Sequence, residues 1–338
     1  MRTLLTLATV LAIGSAVRAA DPPSQAEKPI PKAVPKKARP VIETFTDPAK
    51  AGPDFALQGE YLGEAGRSGK IGAQVVAEGD GKFTLRVYRG GLPGDGWDGG
   101  PTVRLKATAA DGSVKFAGGG VEATLADGKL ALARDGETMT LLRVERKSPT
   151  LGMAPPPGAK VLFDGRSADG WARGQIVEGD LLKWGTTSKD EFRDFTLHLE
   201  FRTPFMPRAT GQGRGNSGVY LQGRYEVQIL DSFGLDGKDN ECGGVYRFGT
   251  PKVNMCFPPL AWQTYDIDFT AAKFDPAGKK TADAVVTIRH NGVVIHDKLA
   301  VTGCTGGHPR EEDGKPGPIF LQDHGNPVVF RNIWIVEK

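Results

Sequence analysis

The sequence predicts an all-β protein, with a small β-rich region ahead of a larger sheet-built one, and three observations carry that prediction. Short runs that alternate apolar and polar residues recur along the chain, the pattern of strands that bury one face. The 46 glycines, several in Asp-Gly and Asn-Gly pairs, supply tight connections. No convincing long amphipathic helix interrupts the larger region, which argues against Rossmann and eight-stranded α/β barrel folds.

Residues 1–20 read as an export signal. Arg2 gives a positive start, Leu4 to Ile13 an apolar core, and Val17-Arg18-Ala19 a cleavage pattern. The core is too short for a packed transmembrane helix, and no later stretch approaches about 18 apolar residues. A retained N-terminal anchor is the alternative. The expected location is periplasmic or extracellular, with no stable membrane span after cleavage. Residues 21–40 hold six prolines and five basic residues and read as a stiff, solvated linker. The formal charge of +3 sits in these segments: the signal carries +2 and the linker +3, leaving −2 for residues 41–338. That balance supports no nucleic-acid partner, and the chain has no nucleotide-binding pattern. The oligomeric state does not follow from the sequence.

Residues 41–147 form the expected accessory β domain. Its runs include Phe83-Thr84-Leu85-Arg86-Val87, Val103-Arg104-Leu105 and Val121-Glu122-Ala123-Thr124-Leu125, with turns at Asp111-Gly112, Asp127-Gly128 and Asp135-Gly136. The segment from Gly90 to Gly100 carries Trp97, a residue suited either to a sugar-contacting loop or to packing. Residues 148–158, with Pro149 and Pro155-Pro156-Pro157, mark a domain boundary before a second domain at 159–338.

The second domain has the stronger strand signals. Phe195, Leu197, Leu199 and Phe201 alternate with polar residues, as do Tyr265, Ile267 and Phe269. Asn291-Gly292 joins two strand-like runs as a hairpin, and Val328 to Val336 reads as a central strand. Two antiparallel sheets sharing one core would satisfy these faces. Cys242, Cys256 and Cys304 form an odd set whose spacing matches neither a Cys-x-x-Cys redox site nor a structural zinc site.

The run from Arg214 to Asp231 is the main candidate for chemistry. Val219, Leu221, Tyr225, Val227 and Ile229 can share one face, leaving Tyr220, Gln222, Arg224, Glu226 and Gln228 on the other. A carboxylate, amides and a guanidinium at this spacing can read sugar hydroxyls; a solvated sheet face is the bland alternative. Asp231 follows the alternation and has no fixed direction. Asp323-His324 supplies an imidazole that can move a proton or ligate a metal, with a surface or turn-stabilising role as the alternative. Trp262-Gln263 offers an aromatic platform with an amide, with core packing of Trp262 as the alternative. Lys238 to Tyr246, with Glu241, reads as a loop across the site, and His198 could join the polar face.

Several of these segments occur together and in order: Leu162-Phe163-Asp164-Gly165 with Gly170-Trp171, Arg214 through Asp231, Trp262 through Asp266, His290-Asn291-Gly292-Val293, and Leu321 through Ile333. In them the second domain resembles the 3-keto-disaccharide hydrolases. The resemblance implies a concanavalin A-like antiparallel β-sandwich, or jelly roll, and an exported enzyme whose carbohydrate substrate is a glycoside already oxidised to a ketone at carbon 3. On that reading Glu226 or His324 is the base, Arg224 or Gln228 steadies the enolate, Asp323 sits beside His324, and Tyr220, Gln222, Trp262 and Gln263 bind sugar. A hard divalent cation such as Ca²⁺, on Glu226 and Asp231 with carbonyl or water ligands, is the cofactor this reading admits. A conventional glycosidase with a second carboxylate and a non-catalytic carbohydrate-binding module are the alternatives.

Overall fold

The structure is a computed structural model describing residues 42–338 apart from Arg67 and Ser68, so the expected export signal at 1–20 and the expected linker at 21–40 lie outside the described residues. Among the described residues no helix is long and apolar enough to cross a membrane.

Eight strands from Gly59–Ala65 to Glu137–Val144 pair in sequence order and close into a barrel, the last returning to the first through Leu62↔Leu142. The sequence suggested a small sheet; closure removes its free edges. Asp111-Gly112, Asp127-Gly128 and Asp135-Gly136 all take positive φ at both positions, the two-residue turn whose twist matches paired strands. The interior is filled by Tyr61, Phe83, Leu85, Phe116, Leu132 and their neighbours. Trp97 packs edge-on against Tyr88 and donates to the Gly100 carbonyl.

Two open antiparallel sheets follow. The smaller runs in the order Trp171–Ala172, Thr186–Phe192, Gly317–Leu321, Ser217–Leu221, Tyr225–Ile229. The larger has Val329–Glu337, Phe195–Arg202, Trp262–Thr270, Ala284–His290 and Val293–Val301 as its long strands. Val219, Leu221, Val227 and Ile229 from the first meet Leu197, Phe201, Ile267, Ile288 and Ile335 from the second in one apolar cluster. The Asn291-Gly292 turn and the interior place of Val329–Glu337 agree with the sequence reading.

The run from Arg214 to Asp231 is a hairpin, where the sequence suggests a row that extends through Gln222 and Arg224 unless Gly223 interrupts it. Gln222 and Gly223 have φ of 54° and 66°, and the Arg224 amide donates to the Leu221 carbonyl at 3.0 Å. The turn ends the polar row at Tyr220 and restarts it at Glu226, which lie directly opposite each other.

Barrel and sheets are tied behind this hairpin. Arg86 donates to the Leu235 carbonyl at 2.6 Å and pairs with Asp236 at 2.8 Å, while Val76 joins the core of the sheets. Arg214 donates to the Ala77 carbonyl of the barrel and holds Asp231 at 2.6 Å. Both partners of this pair are buried, so removing one charge strands the other in a medium of low polarity. Asp231→Asn should therefore cost about 3–5 kcal/mol in urea unfolding; wild-type stability in that variant would contradict the structural role assigned to the pair.

Candidate active site

Glu226 stands on the side of the smaller sheet that faces away from the core. Its strand alternates Val227 and Ile229 into the apolar cluster with Glu226 and Gln228 out of it. A cavity of about 290 Å³ opens over this row. Tyr220, Glu226 and Gln228 form its floor, Gly306 and Gly307 one wall, and Tyr246 with Arg247 another; Gln212, Asn216, Gln322 and His324 complete the lining.

The surrounding loops are fastened to the hairpin. Thr305 accepts from the Glu226 amide at 2.8 Å through its Oγ1 and donates its own amide to the Arg224 carbonyl, which sets Gly306 and Gly307 beside the floor. On the other edge the Gln228 amide donates to the Gly244 carbonyl at 2.8 Å, and Gly243 returns a bond to the Gln228 carbonyl. His296 supports the same segment by donating to the Gly243 carbonyl at 2.8 Å. Arg247 follows at the tip of the Val245–Gly249 turn with φ of 69°, a conformation an arginine adopts only when its surroundings enforce it.

Glu226 is 3% exposed, and burial pushes its carboxyl up to about 7, with a smaller opposing effect from the Tyr220 hydroxyl. Tyr220 has one proton to give. It donates to the Gly306 carbonyl at 2.9 Å and accepts from Gln322 Nε2 at 3.1 Å, so an ionised Glu226 competes with Gly306 for that proton. Burial and the Glu226 charge hold the Tyr220 phenol above its ordinary range, which keeps it protonated. Gly218, across from Gln228, makes room for the carboxylate: a Cβ there would lie 2.3 Å from Glu226 Oε1. Among the described residues Glu226 is the only carboxylate in the lining.

The structure brings Glu226, Gln228, Tyr220 and His324 to this cavity and places the other candidates elsewhere. Arg224 is buried against Glu311 O, Lys315 O, Asp313 and Gln222, and Gln222 donates to Phe192 O and Arg193 O. Both anchor loops, because the tight turn takes them out of the row. Gln228 spends its amide nitrogen on Asn216, Ser217 O and Ile229 O, so that nitrogen is not a free donor for an enolate. Asp323 caps Gly325 N at 2.8 Å and does not line the cavity. Trp262 lies in a separate cleft beside the barrel, its ring covered by the Arg331 guanidinium at 3.9 Å. Gln263 is buried, accepting from His290 at 2.9 Å and Phe257 N at 2.9 Å. His198 is on the larger sheet, paired with Asp266 at 2.6 Å, and Glu241 binds the amides of its own loop at Gly237 and Lys238. Asp231 is held by Arg214, so Glu226 and Asp231 do not converge on a hard cation. Among the described residues, Cys304, His308 and Glu311 do gather as a group that could hold a metal ion.

Sequence reasoning missed Arg247, Asn216 and Gln212. Asn216 is bound by its side chain to Gln212 and Gln228 and by its amide to Asn326, a network that no local period reveals. Arg247 directly follows the loop that was expected to cross the site.

A model of the 3-keto-alpha-glucoside-1,2-lyase-like domain matches residues 158–336, more than half of the chain. The chain belongs to this family. It is a carbohydrate-active enzyme of the 3-keto-disaccharide hydrolase and lyase group, acting on keto-sugar substrates. Three crystal structures from Parabacteroides distasonis ATCC 8503, each provisionally named a glycosyl hydrolase, are similar to it. The first shares 35% identity over 54% of this chain and 85% of its own, with a TM-score of 0.49. The others share 19% and 22% identity over 54% and 53% of this chain and 94% and 99% of their own, with TM-scores of 0.40 and 0.38. No curated protein matches the chain.

In this lyase-like enzyme the raised Glu226 has a consequence for stability. A carboxyl whose folded pKa lies above the unfolded value costs nothing while protonated in both states, and the penalty grows as pH rises from about 4.5 to about 7. Glu226→Gln keeps the shape of the protonated acid and removes that penalty. Urea unfolding at pH 8 should find the variant more stable by on the order of 2–3 kcal/mol, with the gain gone below pH 4.5; an equal gain at both pH values would contradict the assignment.

Proposed function

We propose that the enzyme cleaves 3-keto-glycosides by elimination, with Glu226 as the base that removes the proton on carbon 2. The carbon 3 ketone acidifies that proton, and its loss gives an enolate. Collapse of the enolate expels the glycosidic oxygen from carbon 1 and leaves an enone; water then adds at carbon 1 to give the free 3-keto sugar. The proton taken by Glu226 is returned at carbon 2 in the hydration step; the departing oxygen takes its proton from His324 or solvent, and the proton released by the adding water restores that donor. Arg247 has no acid partner among the described residues and is the cation we assign to the enolate oxygen, a role the sequence had suggested for Arg224 or Gln228.

One observation carries this reading: among the described residues the cavity holds a single, buried carboxylate. Conventional glycosidases use two, about 5–5.5 Å apart when retaining and about 6.5–9.5 Å apart when inverting. With no second carboxylate in the lining among the described residues, Glu226 lacks there the partner that mechanism requires. A lone carboxyl near 7 is suited instead to general-base work near neutral pH.

We also read the two sheets as a concanavalin A-like sandwich, supported by the single core they enclose; superposition of a crystal structure on lectin sandwiches tests it. Export to the periplasm or beyond rests on residues 1–20. An unprocessed chain found in the cytoplasm of fractionated cells would contradict it.

The purified enzyme should turn over a 3-keto glycoside and leave its unoxidised parent intact, with kcat/KM rising about tenfold per pH unit below about 7 and levelling above it. Comparable rates on both substrates would overturn the keto-dependent mechanism. Binding of both without turnover would favour a carbohydrate-binding role.

A further inference from the structure

The segment between the strands Val293–Val301 and Gly317–Leu321 has no regular secondary structure, yet it forms a wall of the cavity through Gly306 and Gly307. It also carries Cys304, His308 and Glu311, whose Sγ, imidazole nitrogen and carboxylate oxygen all lie within 4.8 Å of one another. We propose that these three side chains bind one Zn²⁺ ion, with water in the fourth position, and that the ion fixes the Gly306–Gly307 wall. This inference does not depend on the reaction assigned to Glu226.

The orientation of His308 is the first support. Its Nδ1 lies 2.9 Å from the Arg310 carbonyl, which can only accept, so Nδ1 carries the proton and Nε2 presents its lone pair. That Nε2 lies 3.9 Å from Glu311 Oε1. Histidines that ligate zinc are oriented in this way, the second nitrogen donating to a backbone carbonyl or a carboxylate. The Cys304 thiol donates to the same carbonyl, with Sγ 3.6 Å from Arg310 O, which places the sulfur on the side of the loop that His308 faces. Zinc would displace that thiol proton on binding.

Size and chemistry select the ion. Zinc bonds of about 2.0–2.3 Å at tetrahedral angles place neighbouring donor atoms about 3.4–3.6 Å apart. The Glu311 side chain is 85% exposed and free to swing the remaining distance. Sulfur, nitrogen and one carboxylate oxygen form a borderline-soft set that favours zinc, whereas Ca²⁺ takes six to eight oxygens. The cysteines considered by their own spacing gave no zinc pattern, because only Cys304 takes part; the other two ligands follow it at i+4 and i+7 in a loop.

The mechanical effect follows from the neighbours. Thr305 is bonded to the hairpin at the Glu226 amide, and Gly306 receives the Tyr220 hydroxyl. Farther along, Arg224 holds the Glu311 carbonyl at 2.7 Å. A metal bridging Cys304 to Glu311 would close the loop between these two anchors.

The test uses the full chain, stripped with chelator and titrated with Co²⁺ in the absence of substrate. We expect one equivalent to bind with a thiolate-to-cobalt charge-transfer band, displaced by Zn²⁺ and not by Ca²⁺. Cys304→Ser should abolish the band, and His308→Ala and Glu311→Gln should each weaken binding by roughly 10–100-fold or more. On the unmodified chain, Zn²⁺ should protect Cys304 from alkylation, read by peptide mass, which keeps the test valid if a variant fails to fold. Absence of the band, displacement by Ca²⁺ alone, or unprotected Cys304 at saturating Zn²⁺ would each overturn the proposal.

Discussion

The site depends on the register of one hairpin. The Gln222-Gly223 turn sets Tyr220 opposite Glu226 and Gly218 opposite Gln228, and side chains alternate from that pairing. A slip of one residue would turn Glu226 into the apolar cluster and Val227 out to the cavity. Three sets of contacts hold the pairing: Arg224 with the loop around Lys315, the Gly243–Gly244 segment along Gln228, and the Arg214–Asp231 pair at the open end. The cavity walls are built from the same contacts, so the floor and its walls form as one unit.

The barrel has a physical part in this arrangement. Its strands do not enter the cavity, but Arg86 and Ala77 bind the chain behind the hairpin, at Leu235 and Arg214. That support matters because the site is costly to maintain. Among the described residues no cation pairs with the buried Glu226, and Arg247 sits in a strained backbone conformation at the rim. Both features weaken the fold, and on the proposed mechanism both serve the chemistry: a carboxyl near 7 is a stronger base than an exposed one, and a cation at the rim can meet charge that develops on a keto oxygen.

The sequence made the local structure legible and left the convergence hidden. The Asp-Gly and Asn-Gly turns, the strand faces and Glu226 follow from residue type and period two. Arg224 and Gln222 seemed to belong to the same polar row because Gln222-Gly223 was not read as a turn, although glutamine at positive φ is uncommon and only Gly223 signalled it. Trp262 and Gln263 sit on the other sheet, a fact set by pairing across dozens of residues. Arg247 and the trio of Cys304, His308 and Glu311 lie in loops, where no periodicity marks a side chain's direction. Closure of the barrel likewise rests on the pairing of its first and last strands, which are far apart in the chain.

The central claim is that the fold holds one carboxylate, Glu226, as a base poised near neutrality. The most direct measurement is the carboxyl ¹³C chemical shift of Glu226 followed against pH in protein labelled at glutamate, assigned by comparison with Glu226→Gln. A midpoint near 7 is the result predicted by its burial in the cavity. A midpoint near the ordinary 4.5 would mean that the carboxylate is solvated, and would contradict the account.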